Sequence, residues 1–217
     1  MRLFKRKDRI YRLPREWSNA QLRKFAGLFT GDVINVSAWQ DEDKEGGHYR
    51  EYFTQAKSYT ISNYQSETRG YQGYEDELLL NLEEDLPQEL EGKFDVVFNH
   101  TTLEHIYNFR QAFHNLCRLS RDIVIVVVPF LQEMHAGEYG DYWRFSPQAV
   151  DKMFARESFH LLHVSFNDQK NASVYIFAMA TRNLPKWKDR FDPNQIRLNP
   201  DVSVGANVYI NKLILSK

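Results

Sequence analysis

Residues 94–129 read FDVVFNHTTLEHIYNFRQAFHNLCRLSRDIVIVVVP, and this stretch decides the fold. Ile123 to Val128 is β-branched throughout and ends at Pro129. A continuous apolar run of that length is a strand buried on both faces, as in the centre of a parallel sheet. Phe94 to Phe98 (F-D-V-V-F) reads as another strand. Between them, residues 101–119 carry Phe109, Ala112, Phe113, Leu116 and Leu119 at helical spacing. Strand, amphipathic helix, strand is the βαβ unit.

Outward from this unit the same alternation continues. Ser18 followed by Ala20, Leu22, Phe25 and Leu28 predicts a capped helix ending near Gly31. Asp32 to Val36, Ser58 to Ser62 and Leu78 to Leu82 read as strands, and His48 to Gln55 as a short helix. Downstream, Ser146-Pro147 opens a helix, with serine as cap and proline in the first turn. Phe159 to Phe166 and Val174 to Ala180 read as two consecutive strands, paired antiparallel. The expectation is an α/β fold: a doubly wound, mostly parallel seven-stranded sheet with an antiparallel C-terminal strand pair. Its expected division is a basic N-terminal arm (1–17), the α/β domain (18–181) and an irregular extension (182–217), whose Val208 to Leu215 stretch is a candidate for self-association.

The bulk numbers narrow the function. The net charge is −1, so the chain as a whole is not a nucleic-acid binder by charge. The single cysteine, Cys117, rules out an internal disulfide framework and fits the cytoplasm. No run approaches the roughly 18 apolar residues that span a bilayer. Arg2, Lys5, Arg6, Lys7, Arg9, Arg12 and Arg15 alternate with apolar residues. Such an arm either touches an anionic surface, here the inner membrane face, or docks on the body.

The second half carries a resemblance. The F-D-V-V-F strand, the L-E-H turn (103–105), the helix and the hydrophobic strand ending in proline are similar to the post-cofactor half of class I S-adenosylmethionine (SAM) methyltransferases. The D-Y-W-R-F-S-P segment (141–147) resembles a segment of a subgroup associated with bacterial polysaccharide biosynthesis. The resemblance spans roughly residues 30–180. It implies the Rossmann-like methyltransferase fold, SAM as cofactor, and a small-molecule or saccharide acceptor.

In that family the first strand ends in an acid and runs into a glycine-rich loop, whose bare backbone approaches the cofactor. The positions implied for cofactor binding are Asn35, Ser37, Trp39, Ser62 and Asn81. All five depart from the family pattern: neutral polar residues replace acids, and no glycine stands at Ser37 or Trp39. Gly46-Gly47 offers a different small-residue loop ten residues on. Candidate bases after the fourth and fifth strands are His100, His135 and Asp141, with His105 in the L-E-H turn. Tyr142, Trp143 and Arg144 are candidate substrate-binding residues, by stacking on a sugar or holding its hydroxyls. Alternatively, they pack the segment to the body, with Asp141 and Arg144 as a local ion pair. No spacing among His100, Glu104, His105 and His135 matches a metal-ligand pattern. The dinucleotide fingerprint is absent as well, so neither a metal nor NAD is expected. Two functions follow: a SAM-dependent methyltransferase with a diverged loop, or an inactive relative that serves as a binding or scaffold module for a partner.

Overall fold

The computed structural model describes residues 8–65, 69–135, 139–191 and 203–208. The seven strands form one sheet in the order β3-β2-β1-β4-β5-β7-β6. They are β1 (Asp32–Val36), β2 (Ser58–Asn63), β3 (Glu77–Leu79), β4 (Phe94–His100), β5 (Ser120–Leu131), β6 (His160–Phe166) and β7 (Val174–Thr181). Strands β1 to β5 are mutually parallel. β7 runs antiparallel to β5 and to β6. The expected architecture is present.

Each face of the sheet carries its own core. On one, α2 (Phe109–Leu119) and α3 (Pro147–Arg156) cover Ile34, Val97, Val124 and Ile176. Asn108 caps α2 and Ser146 caps α3, each accepting from a backbone N–H of the first turn. On the other face, Leu22 and Ala26 pack on Val33, Phe98, Ile125 and Phe177. Leu22 belongs to α1 (Arg12–Phe25), which precedes the sheet. Among the described residues, the β1–β2, β2–β3 and β3–β4 connections contain no α-helix. The N-terminal helix therefore covers the face that crossover helices cover in a doubly wound fold.

Several expected boundaries move, each for a local reason. Ser18 does not cap a helix. It lies fully buried inside α1, its hydroxyl donating to the Arg15 carbonyl. Residues 12–17 of the basic arm thus belong to α1, because their apolar positions continue its buried face. Arg9 donates to the Lys170 and Asn171 carbonyls, and Arg12 to the Lys44 carbonyl. The segment 48–55 holds one 3-10 turn, Tyr49–Tyr52. The 101–119 helix splits into a turn at Leu103–His105 and α2. β3 stops at Leu79, and Leu80 and Leu82 turn into the core. β5 passes through Pro129, where the β4 partner has already ended at His100, so the missing N–H removes no parallel ladder bond.

The C-terminus of β7 leads into α4 (Leu184–Trp187). The buried Asp122 carboxylate accepts from Thr181 Oγ1 at 2.6 Å, Lys186 Nζ at 2.7 Å and the Trp187 indole at 3.0 Å. No described helix is long and apolar enough to cross a membrane. Of the Val208 to Leu215 stretch only Val208 is described; the rest, like residues 1–7, lies outside the described residues.

Candidate functional site

The carboxyl ends of the parallel strands are where open α/β sheets place ligands. They divide here into two regions with opposite character.

The first is the loop after β1. Ser37, Trp39, Asp41 and Lys44 all have left-handed backbone, with φ of 59°, 52°, 62° and 64°. Non-glycine residues resist that region by roughly 1–2 kcal/mol each, so something must hold them there. Two carboxylates and an amide do. Asp41, 1% exposed, accepts from Asn35 Nδ2 and the Tyr59 hydroxyl, both at 2.7 Å, and from the Arg50 N–H at 2.9 Å. Asp43 accepts from the Glu45 and Gly47 N–H groups and the Tyr52 hydroxyl. Gly46-Gly47 therefore belongs to a turn closed on Asp43. Burial and the neighbouring Asp41 push the Tyr59 phenol well up. Asn63, at the end of β2, accepts from the Trp39 N–H at 2.6 Å. It donates to the Trp39 carbonyl at 3.0 Å and to Glu77. Glu77 also accepts from the Gln72 and Tyr74 N–H groups, which ties down the next loop.

These contacts decide how the region fits SAM. An acid at the end of the second strand would accept from ribose hydroxyls. Here Asn63 has both amide hydrogens committed inside the chain, and its oxygen holds Trp39. Asn35 is committed to Asp41. Asn81 closes its own turn, accepting from the Glu83 N–H and donating to Glu84. The half-buried Trp39 ring lies between Lys44 Nζ at 4.3 Å and the Arg69 guanidinium at 5.3 Å, bridging the loops after β1 and β2. Ser62 Oγ is buried without a partner. Its register with Val36 puts it on the α2 face, opposite Asn63. The residues present do not fit the cofactor.

The second region lies beyond β4 and β5. His100 ends β4; its Nε2 is 2.8 Å from Ser18 Oγ and its Nδ1 3.0 Å from Thr101 Oγ1. Loss of solvent and the nearby Arg15 hold this imidazole well below its usual range. Arg15 donates to Thr101 and to the buried Tyr49 hydroxyl, pinning α1 over the strand ends. His100 is thus engaged with α1.

Glu104, His105, His135, Asp141 and Arg144 form a cluster of their own beyond β4 and β5. Glu104 is 1% exposed, and its Oε2 has no hydrogen-bond partner. Burial pushes its carboxyl up to about 8. His105 Nδ1 is 2.6 Å from the Gly140 carbonyl, and its Nε2 faces His135 Nε2 at 3.2 Å. His135 Nδ1 lies 3.2 Å from Asp141 Oδ2. Asp141 is held down to about 2 by its hydrogen bonds from Arg144. All of Arg144's nitrogens are taken up, by Asp141 and by the carbonyls of Gln132, Glu133 and Trp143. Trp143 donates to the Ile106 and Tyr107 carbonyls and packs on Phe109. Both therefore hold residues 132–135 and 139–145 to the body, whereas Tyr142 is 51% exposed beside Tyr107.

Of the sequence candidates, His135 and Asp141 come together with Tyr142, Trp143 and Arg144. His100 stands apart under α1, and Asn81 lies in a turn of its own. Sequence reading missed Asp41, Asn63, Glu77 and Arg15. A buried carboxylate in an acidic loop looks like a solvated one, and an arginine inside a basic arm looks like its neighbours.

No protein-family model matches the chain, and no curated protein matches it. Solved structures do. The chain is similar to the Burkholderia thailandensis 1,6-didemethyltoxoflavin-N1-methyltransferase with bound 1,6-didemethyltoxoflavin and S-adenosylhomocysteine. The identity is 15% and the TM-score 0.54, over 78% of each chain. It is similar to the magnesium protoporphyrin IX methyltransferase of Synechocystis PCC 6803 with bound SAM, at 12% identity and TM-score 0.51 over 77% of each chain. It is also similar to a SAM-dependent methyltransferase of Clostridium acetobutylicum ATCC 824. There the identity is 10% and the TM-score 0.53, over 77% of this chain and 91% of that one. The chain has the class I methyltransferase fold.

Proposed function

We propose that this chain is a methyltransferase-fold binding protein that takes a small polar molecule, of saccharide type, beyond β4 and β5, and that it does not carry SAM. The observation behind this reading is the closure of Trp39, Asn63 and Glu77 on one another where a nucleoside would need free acceptors. A ligand there would have to break bonds among buried groups, at about 1–3 kcal/mol for each left unpaired. At the mouth of the second region, Tyr107, Tyr139 and Tyr142 are 70%, 39% and 51% exposed. Exposed aromatic rings suit the apolar face of a sugar. The basic arm enters through residues 1–7 alone as a membrane contact, since Arg9, Arg12 and Arg15 are bonded to the body.

A second reading, a working SAM-dependent methyltransferase acting in glycan assembly, is favoured by one feature. Ser37 and Trp39 keep left-handed backbone where the family has glycines, so the loop retains a cofactor-loop course. Calorimetric titration with SAM and S-adenosylhomocysteine separates the two. The first reading expects no binding at millimolar ligand. A Kd of tens of micromolar would establish the second and refute the first.

A further inference from the structure

Two histidines thirty residues apart in the chain meet through their outer nitrogens. His105 Nε2 and His135 Nε2 are 3.2 Å apart, with ring planes at 88°. His105 Nδ1 lies 2.6 Å from the Gly140 carbonyl, which only accepts, so in the neutral ring Nδ1 bears the hydrogen. The His105 Nε2 lone pair then accepts from the His135 Nε2 hydrogen, an ordinary N–H···N hydrogen bond. That leaves His135 Nδ1 without a hydrogen, and this nitrogen is buried with no partner.

The three unpaired buried atoms beyond β4 and β5 are thus all acceptors: Glu104 Oε2, Gln132 Oε1 and His135 Nδ1. The guanidiniums near Glu104 are spent elsewhere. Those of Arg144 bond Asp141 and backbone carbonyls, and Arg15 donates to Tyr49 and Thr101. Loss of solvent accordingly outweighs both cations, and the Glu104 carboxyl stays raised to about 8. What the crevice lacks is a donor that carries positive charge.

The place for that donor is marked by one atom. His105 Nε2, which meets His135, is also 3.8 Å from Glu104 Oε1. A single ammonium nitrogen making hydrogen bonds of about 2.9 Å reaches both acceptors. It takes over the donor place of His135 at His105 Nε2 and brings the missing charge to Glu104. Entry costs one neutral hydrogen bond and returns a charge-assisted one, roughly twice as strong. The two imidazole side chains are 21% and 27% exposed, so their contact is open to an incoming group. The Tyr139 ring lies 6.1 Å from His105, at the same mouth as Tyr107 and Tyr142, where the body of a ligand has rings to stack on.

We propose that the ligand of this crevice is an amino sugar rather than a neutral one, with its primary ammonium group held by Glu104 and His105 Nε2. The ammonium adds a charge to the saccharide-type ligand read above, and its role rests on that reading.

Glucose, galactose and their monoamino derivatives, with the amine at C2, C3, C4 or C6, are titrated calorimetrically into the full chain at pH 7. At least one amine should bind about 30-fold or more tighter than its parent sugar, as a charge-assisted hydrogen bond implies. Its N-acetyl derivative, which keeps the nitrogen but not the charge, should fall back to the parent's affinity. Glu104→Gln should abolish the advantage of the amine and leave the parent sugar within about threefold, with far-ultraviolet circular dichroism unchanged. Glu51→Gln, at an exposed carboxylate of the Tyr49–Tyr52 turn, should bind as the wild type does. If a parent sugar binds and no amine exceeds it, the ammonium is refuted while the saccharide reading stands. An amine advantage that survives Glu104→Gln refutes it as well. If cyclohexylamine binds as tightly as the best amino sugar and Glu104→Gln abolishes this, the ammonium site holds and the saccharide reading falls. Absence of binding by all of these compounds at about 50 mM overturns both.

Discussion

The loop after β1 and the crevice beyond β4 and β5 occupy the same edge of one sheet, yet they treat polar groups in opposite ways. In the loop, Asp41, Asp43 and Glu77 each accept from several donors of the chain itself, and Asn63 accepts from the Trp39 N–H and donates to the Trp39 carbonyl and Glu77. In the crevice, Glu104 Oε2, Gln132 Oε1 and His135 Nδ1 are buried without hydrogen-bond partners. Buried polar groups are almost always paired, so a satisfied network reads as structure and a cluster of unpaired atoms reads as a place where something binds. One fold edge therefore contains a loop whose carboxylates are closed on the chain itself and a region with three unpaired buried atoms, the one proposed above to take a ligand.

The contrast can be broken most forcefully at Asp41. Asp41→Ala removes the acceptor of three donors from a fully buried position. Guanidinium unfolding should show a loss of about 3–5 kcal/mol. Asn63→Leu strands the Trp39 N–H and one Glu77 oxygen while keeping the volume. Its expected cost is smaller, about 2–3 kcal/mol, read from the same unfolding curves. Glu104→Gln should behave differently. It removes an acid that no partner compensates, so stability should change by less than about 1 kcal/mol or rise. A loss as large as that at Asp41 would erase the distinction between the two regions.

The smallest effect concerns a histidine outside both. His163 packs between Phe25 and Phe177, and burial, with Lys24 nearby, lowers its pKa to about 4. The neutral ring is the form favoured by folding. Its contribution is present in full above the unfolded value near 6.5 and is lost as pH falls toward 4. Thermal melts of His163→Gln should accordingly lack that part of the wild-type decline between pH 6.5 and 4. An identical decline in the variant would assign it to other groups.

The mostly parallel seven-stranded sheet and its antiparallel C-terminal pair were legible in the sequence because Ile123–Val128 and its neighbours follow strand and helix periods closely. What escaped has a physical cause in each case. Ser18 carries a cap-former's side chain, but its hydroxyl serves a buried helix face against His100. The loop after β1 has no glycine at Ser37 or Trp39, so composition alone suggested decay. Its left-handed residues are instead held by Asp41 and Asn63, whose partners lie as far off as Tyr59 and Glu77. The facing of His105 and His135 depends on contacts between the turn after β4 and the end of β5, thirty residues apart, and no local pattern encodes them.

The claim that the first region is closed on itself rests most directly on the Trp39 N–H bonded to Asn63 Oδ1. Amide hydrogen exchange of this group, with and without millimolar S-adenosylhomocysteine, tests it. The expected result is protection comparable to the β1 amides of Ile34 and Val36, unchanged by the ligand. Rapid exchange of the Trp39 amide that slows when the ligand is added would contradict it.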